Sequence, residues 1–288
     1  MQSPISISQV TVVTVAYNSM DVLPRMLASL PPKMPVVVVD NSPNVDPALD
    51  LLIERYGAKL IRNPNNRGFG AACNQGAAET TTEFVMFLNP DTEIAPDCFE
   101  ALIAGVNRFP LASAYAPRIT DSHGKIAFRR RANLRPKQEW YRGRPPVNDA
   151  EVPVLSGAAI LLRKDLFDSV QGFDERIFLY YEDDDLTLRL SKLGPLMHIH
   201  KAVVRHLEGH STERTPELAR FKAYHLARSR VFAREKHGRP WPKTEALWRA
   251  TRQLFSPLML SKRKRAKYLG YMSGVISTFR DGGKHSDF

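Results

Sequence analysis

The chain has 288 residues, 43% of them hydrophobic and 25% charged, enough to bury one substantial core and too apolar for disorder along its whole length. Its two cysteines, Cys73 and Cys98, stand at no spacing that suits a zinc site or a disulfide framework, so a reducing cytoplasm is the expected compartment. The net charge of +11 is concentrated at one end: residues 213–288 hold 18 Lys and Arg against 6 Asp and Glu, which argues for a near-neutral catalytic-type domain with a cationic attachment rather than a uniformly basic nucleic-acid binder.

In chain order, residues 1–10 lack a basic segment followed by an apolar one, so no export signal is expected. No apolar run reaches the roughly 20 residues that span a bilayer. Val10 to Ala16 is β-branched and apolar and predicts a buried strand; Leu23, Met26, Leu27 and Leu30 then recur at helical spacing behind Ser19 and Asp21. Pro35 to Val39 reads as a second strand, Pro47 to Tyr56 as a helix, Lys59 to Arg62 as a short strand, Gly70 to Ala78 as a small-residue helix and Phe84 to Leu88 as a strand. Such alternation with near-continuous apolar strands predicts a parallel sheet covered by helices on both faces. Beyond it, Pro96 to Phe109 reads as a helix, and Ser113 to Phe128 as strand and turn with a hairpin tip at Asp121-Ser122-His123-Gly124.

Polar groups cluster where these strands stop. Ala16-Tyr17-Asn18 follows the first strand, Asp40-Asn41-Ser42 the second, and Asn89-Pro90-Asp91 the strand at Phe84. In open α/β sheets the ligand crevice lies beyond the carboxyl ends of the strands, where a carboxylate suits a ribose hydroxyl or a divalent cation on a phosphate. Each cluster taken singly is also good turn or cap chemistry. Between them, Asn66-Arg67-Gly68-Phe69-Gly70 and the residues to Asn74 offer glycines for close backbone approach and a cation, without the spacing of a dinucleotide fingerprint. Arg129 to Arg144 is a basic run that reads either as a solvated loop or as a loop closing over an anionic donor or acceptor. Glu182-Asp183-Asp184-Asp185 opens a helical stretch, where the helix dipole favours carboxylates as ordinary caps; four consecutive residues turning by ~100° each cannot all cap or all face water, so general-base chemistry by one of them is the other reading.

These motifs, together with Gly157-Ala158-Ala159 and Gly172-Phe173-Asp174-Glu175, resemble the inverting family 2 glycosyltransferases of GT-A fold, and within that family the rhamnosyltransferase-like branch. The resemblance covers about residues 8–236. It implies a Rossmann-like mixed, mainly parallel sheet, with a nucleotide-binding half over about 1–110, an acceptor-binding half over about 111–236 and a basic helical tail over 237–288. By the same resemblance Ala16, Tyr17, Asn18, Asp40, Asn41 and Ser42 hold the nucleoside, and Asn66, Arg67, Gly68, Gly70, Asn74 and Asn89 line the donor pocket. Asp91 is the implied ligand of Mg²⁺ or Mn²⁺, with Asn89 standing where the family has the first acid of its Asp-x-Asp motif, and His206 is the implied residue facing the metal. Asp183 matches the catalytic base, Glu182 a group that orients an acceptor hydroxyl, and Gly157 with Ala158 a small-residue wall that lets the acceptor sugar approach.

The tail places Leu247, Trp248, Thr251, Leu254, Phe255, Leu258 and Met259 at helical spacing with a break at Pro257, then Lys262-Arg263-Lys264-Arg265-Ala266-Lys267, then a second periodic apolar set from Tyr268 to Phe279. Basic clusters beside amphipathic helices suit an anionic membrane surface, at about 1 kcal/mol per Lys or Arg near it. Packing on the domain or a homodimer contact are the other uses open to these helices. The expectation is a cytoplasmic enzyme, peripheral at the inner face of the membrane, that moves a sugar, L-rhamnose from dTDP-rhamnose, onto a lipid-linked glycan of the bacterial surface. Two rivals from other classes are a catalytically silent sugar-nucleotide-binding module and a nucleic-acid binder using the basic tail, the latter requiring strongly salt-dependent binding of generic DNA.

Overall fold

The computed structural model describes residues 5–207 and 215–280. The chain runs β1 (Val10–Ala16), α1 (Leu23–Ser29), β2 (Val36–Asp40), α2 (Pro47–Tyr56), β3 (Lys59–Arg62), α3 (Phe69–Ala78), β4 (Phe84–Leu88), β5 (Thr92–Ile94), α4 (Cys98–Arg108) and β6 (Ala114–Thr120). It continues through β7 (Ala150–Glu151), β8 (Ala159–Arg163), α5 (Lys164–Ser169), α6 (Glu182–Leu190), β9 (Leu196–His206), α7 (Pro216–Lys236), α8 (Pro242–Leu254) and α9 (Lys262–Arg280). Local chemistry sets several boundaries. In α2 the Asp46 carboxylate accepts from the Ala48 N–H, Pro47 opens the first turn, and Gly57 closes the helix in the left-handed region at φ 60°.

Nine strands form one sheet in the order β3-β2-β1-β4-β8-β6-β9-β5, with β7 pairing on β9. The first four are parallel, with Ala16 opposite Asp40 and Val13 opposite Phe87, so β1, β2 and β4 all stop at one edge. Beyond β4 the sheet becomes mixed, as the resemblance implies: β8 runs antiparallel between β4 and β6, with Leu88 opposite Ala159. An antiparallel strand starts where its parallel neighbours finish, and this alone carries Gly157 and Ala158 to the edge that holds Asn89 and Asp91. Strand β9 is parallel to β6 and antiparallel to β5, where Thr92 faces His206.

Side-chain parity divides the core. Val10, Val12, Val36, Val38, Phe84 and Met86 point to one face, under α1, α2 and α4; Val13, Val15, Val37, Val39, Val85 and Phe87 point to the other, under α3, α5 and α6. Because both faces are covered, these strands read as unbroken apolar runs, which is why they were legible as strands. The hairpin tip forms as expected, Asp121 Oδ1 accepting from the His123 and Lys125 N–H groups.

The C-terminal helices pack on α7. Tyr271 and Val275 of α9 are buried against Ala223, Ala227 and Val231 of α7, with Ala246 and Ala250 of α8 closing the cluster. Two glycines allow the close crossing, since a Cβ on Gly270 would sit 2.3 Å from the Arg220 carbonyl oxygen and one on Gly274 2.3 Å from that of Tyr224. Trp248, Phe255, Leu258 and Leu260 remain exposed around the bend between α8 and α9. Among the described residues, no helix is long and apolar enough to cross a membrane. Gly274→Ala is expected to destabilise the protein by about 1–3 kcal/mol in urea denaturation, the ordinary cost of overpacking a closed contact; an unchanged midpoint would mean that α9 is not held against α7 in this way.

Candidate active site

The ends of β1 and β2 are knitted together by short hydrogen bonds. Asn18, in the left-handed region at φ 50°, donates its N–H to Ser42 Oγ at 2.9 Å, and the Ser42 N–H donates to Asp40 Oδ1 at 2.9 Å. Asp40 is buried with Arg62 Nε 3.7 Å from its second oxygen. Ala16, Asn18, Asp40 and Ser42 line a cavity of about 180 Å³ that also touches Asn44 and Asp46. Tyr17 is half-buried beside it.

Two amides from the expected binding set also brace loops. Asn41 is buried, donating to the Gly68 carbonyl at 3.1 Å and accepting from Asn63 Nδ2 at 2.6 Å, while Asn63 and Gln75 exchange bonds of 2.8 and 2.9 Å. Asn74 accepts from the Phe173 N–H and donates to the Phe173 carbonyl, both at 2.9 Å, and reaches Glu175 at 3.1 Å. Sequence reasoning passed over Asn63, whose only local signal is its place just after β3. Gly68 sits at φ 87° where a Cβ would lie 2.5 Å from the Phe178 carbonyl oxygen, and Gly70 backs onto Phe173. Asn66 accepts from the Gly68 N–H, and Arg67 pairs with Glu175 at the surface, 3.3 Å away.

Asp91 is buried at the β4 strand end, and its Oδ1 lies 3.1 Å from His206 Nε2 across the β5–β9 pair. Thr92 Oγ1 donates to the Asn89 carbonyl at 2.7 Å and the Leu207 N–H to the Asp91 carbonyl at 2.8 Å, which fix the turn. Burial lowers the Lys222 ammonium of α7 from its ordinary value, an effect the neighbouring Asp91 carboxylate opposes. A carboxylate oxygen beside an imidazole nitrogen is a donor pair that suits Mn²⁺ and, less well, Mg²⁺. Among the described residues, no cluster of three His, Cys, Asp or Glu forms a cage. The chain from Glu208 to Ser211 lies outside the described residues.

The four acids open α6 from a strained turn. Tyr180 and Tyr181 both occupy the left-handed region, at φ 67° and 71°, a conformation costing of order 1 kcal/mol or more for each non-glycine residue. Helix α7 holds that turn in place: Ser229 Oγ donates to the Leu179 carbonyl at 2.9 Å, Arg230 reaches the Tyr181 hydroxyl at 3.3 Å, and His225 stacks on Phe178 with ring centroids 4.2 Å apart.

Each acid then has its own surroundings. Asp183 Oδ2 accepts from Arg129 and from the Gly157 N–H, the latter at 2.9 Å. Asp184 accepts from Arg129 Nη2 at 2.6 Å and from both the backbone and the side chain of Asn133 at 3.1 Å; burial and the adjacent Asp183 charge nevertheless raise its pKa. Burial also acts to raise Asp185, yet His237, Lys236 and Arg189, each 2.7 Å away, bring it below the ordinary carboxylate value. For Glu182 the opposing groups are too weak: burial, then the Asp183 charge, push its carboxyl up to about 8 against its own backbone N–H and Arg129, and its Oε2 is buried with no hydrogen-bond partner among the described residues. Arg129 therefore belongs to the site from within a basic run that also read as solvated loop.

A backbone path joins the two acidic centres, because the Asn89 N–H donates to the Ala158 carbonyl at 2.9 Å while Gly157 holds Asp183. A Cβ on Gly157 would lie 3.1 Å from Asp183 Oδ2. The structure thus assembles Asp40, Asn18 and Ser42 at one end of the sheet edge, Asp91 and His206 in another part, and Ala158 beside Asn89 with Gly157 on Asp183, which Glu182 precedes at the start of α6.

Residues 11–171 match glycosyl transferase family 2. The chain is 31% identical to the N-acetylglucosaminyl-diphospho-decaprenol L-rhamnosyltransferase of Mycobacterium tuberculosis (strain ATCC 25618 / H37Rv), over 91% of this chain and 97% of that protein. It is 28% identical to the dTDP-rhamnosyl transferase RfbF of Shigella flexneri, over 57% of this chain and 56% of that one. Its fold is similar to that of the mannosyltransferase PcManGT of Pyrobaculum calidifontis, solved with GDP-Man and Mn²⁺, at a TM-score of 0.56 and 15% identity over 96% of this chain and 89% of that one.

The raised Glu182 carboxyl has a stability consequence whose sign is fixed. From the unfolded value near 4.5 up to about 8 the folded state holds the proton that the unfolded state loses, so stability falls as pH rises through this window and the penalty is complete above it. Glu182→Gln is expected to flatten the decline of the urea midpoint between pH 5 and pH 8 and to stabilise the protein relative to wild type at the upper end.

Proposed function

The chain belongs to glycosyl transferase family 2, and on that premise we propose that it moves L-rhamnose from dTDP-rhamnose to a hydroxyl of a lipid-linked bacterial surface glycan, with inversion at the anomeric carbon. The observation that carries this reading is the position of Asp183, held by Arg129 and the Gly157 N–H and joined through Ala158 and Asn89 to Asp91 and His206. The relatives named as rhamnosyltransferases support the sugar, and the lipid-diphosphate acceptor in the name of one of them supports the acceptor class.

In this reading the acceptor sugar lies against Gly157 and Ala158, and its hydroxyl gives its proton to Asp183 as its oxygen bonds to the anomeric carbon. The bond from that carbon to the diphosphate oxygen breaks on the opposite face, its electron pair leaving with the nucleoside diphosphate, so one displacement inverts the configuration. Neutral Glu182 donates a hydrogen bond to an acceptor hydroxyl. Asp40, with Asn18, Ser42, Ala16 and Tyr17, takes the nucleoside; Asn66 and Arg67 border the donor, and Asn41, Gly68, Gly70 and Asn74 keep those loops in register. Asp91 and His206 would hold Mg²⁺ or Mn²⁺, which when bound stabilises the charge that develops on the leaving diphosphate.

The exposed Trp248, Phe255, Leu258 and Leu260 beside Lys262 to Lys267 support attachment to the anionic inner face of the cytoplasmic membrane, where a lipid-linked acceptor is presented. A nucleic-acid role is not part of this reading. Asp183→Asn is expected to lower transfer by about 10²- to 10⁴-fold, the ordinary contribution of a general base, while calorimetric dTDP binding stays within about twofold; undiminished transfer removes Asp183 as the base. For the membrane contact, Leu258→Glu with Leu260→Glu is expected to release the protein from phosphatidylglycerol vesicles in co-sedimentation without loss of nucleotide binding.

A further inference from the structure

The basic run after β6 does more than steady the acids. Phe128, Arg129, Arg130, Arg131 and Asn133 line an open basin of about 450 Å³. Arg129 and Asn133 are fixed at its inner wall by their bonds to Asp183 and Asp184. Arg130 and Arg131 are exposed at its rim; the Arg131 guanidinium stacks over Trp140 at 5.8 Å from the ring centroid, and the Arg130 carbonyl accepts from the Tyr141 N–H at 3.0 Å. The backbone is therefore pinned while the charged heads face solvent.

We propose that this basin binds the diphosphate of a lipid-linked acceptor, one sugar ring away from the hydroxyl that Asp183 addresses. The inference rests on the acceptor class proposed above and adds the group that recognises it. The basin adjoins the base through Arg129, which bonds Asp183, while Asp91 is reached only through further contacts, Asp183 to Gly157 and then Ala158 to Asn89, and does not line the basin. Guanidinium forks suit the paired oxygens of phosphates, and several together concentrate anions at a cleft. Asp183 and Asp184 would repel a diphosphate here, and Arg129, bridging both, offsets their charge; Arg130 and Arg131 are left in excess. An acceptor so held presents its first sugar to the base and directs its lipid out toward the surface.

The test uses the full chain and the exposed pair Arg130→Ala with Arg131→Ala. Decyl diphosphate, titrated calorimetrically in saturating dTDP, is expected to bind wild type and to bind the double variant at least tenfold more weakly, whereas decyl maltoside distinguishes the two proteins by less than twofold. Equal decyl diphosphate affinity in both proteins, or displacement of the probe by dTDP, overturns the proposal; the latter assigns the arginines to the donor. In transfer assays the double variant is expected to raise KM for N-acetylglucosaminyl-diphosphoryl-decane at least tenfold with kcat within twofold, and to leave KM for decyl N-acetylglucosaminide unchanged. Equal losses on both acceptors overturn it. Should wild type glycosylate neither acceptor while the calorimetric contrast holds, the proposed reaction fails and the diphosphate site stands.

Discussion

Four consecutive carboxylates compressed into the first turn of α6 are the constraint around which the rest of this molecule is arranged. Ionised and unpartnered, they would repel one another strongly in a half-buried setting, and the helix dipole offsets only about 1 kcal/mol or less for each. The fold resolves the problem by giving every acid a different answer. Burial pushes the Glu182 carboxyl up to about 8, Asp183 and Asp184 share Arg129, and Asp185 is enclosed by Arg189, Lys236 and His237. Neighbouring titratable groups whose surroundings push them apart are what acid–base chemistry requires, so the solution to a stability problem also sets the roles proposed here.

The same constraint ties the C-terminal helices to the site. Lys236 and His237 stand at the end of α7, at the expected junction between domain and tail, and both reach Asp185. Earlier in α7, Ser229, Arg230 and His225 brace the strained Tyr180–Tyr181 turn, while the opposite side of the helix receives Gly270 and Gly274 of α9. Helix α7 is thus packed between the acidic turn and the cationic extension.

Much of this was legible in the sequence, and what was legible has a common physical basis. Buried parallel strands need apolar residues at every position, so Val10–Ala16, Val36–Asp40 and Phe84–Leu88 announce themselves, and their polar ends mark the crevice. The direction of β8 has no such local mark; it depends on which neighbours the strand meets, and with it the placement of Gly157 against Asp183. Arg129 was ambiguous because its partners lie more than fifty residues away, and a basic run looks the same whether its first member is paired or solvated. The bracing bonds of Asn41 and Asn74 could not be read from the sequence, because an amide that braces a loop and one that meets a nucleotide have the same sequence appearance. In the tail the helical period was visible, but not which face meets α7, where Gly270 and Gly274 of α9 allow the close crossing.

The central claim is that Asp183, and no other member of the acidic turn, takes the proton of the attacking acceptor hydroxyl. A crystal structure of the ternary complex with dTDP and a lipid-diphosphate-linked acceptor tests it most directly. The account predicts the attacking hydroxyl within hydrogen-bond distance of an Asp183 carboxylate oxygen, with Arg129 still bridging Asp183 and Asp184. An acceptor hydroxyl seated on Glu182 or Asp184 instead, with Asp183 turned away, would contradict it.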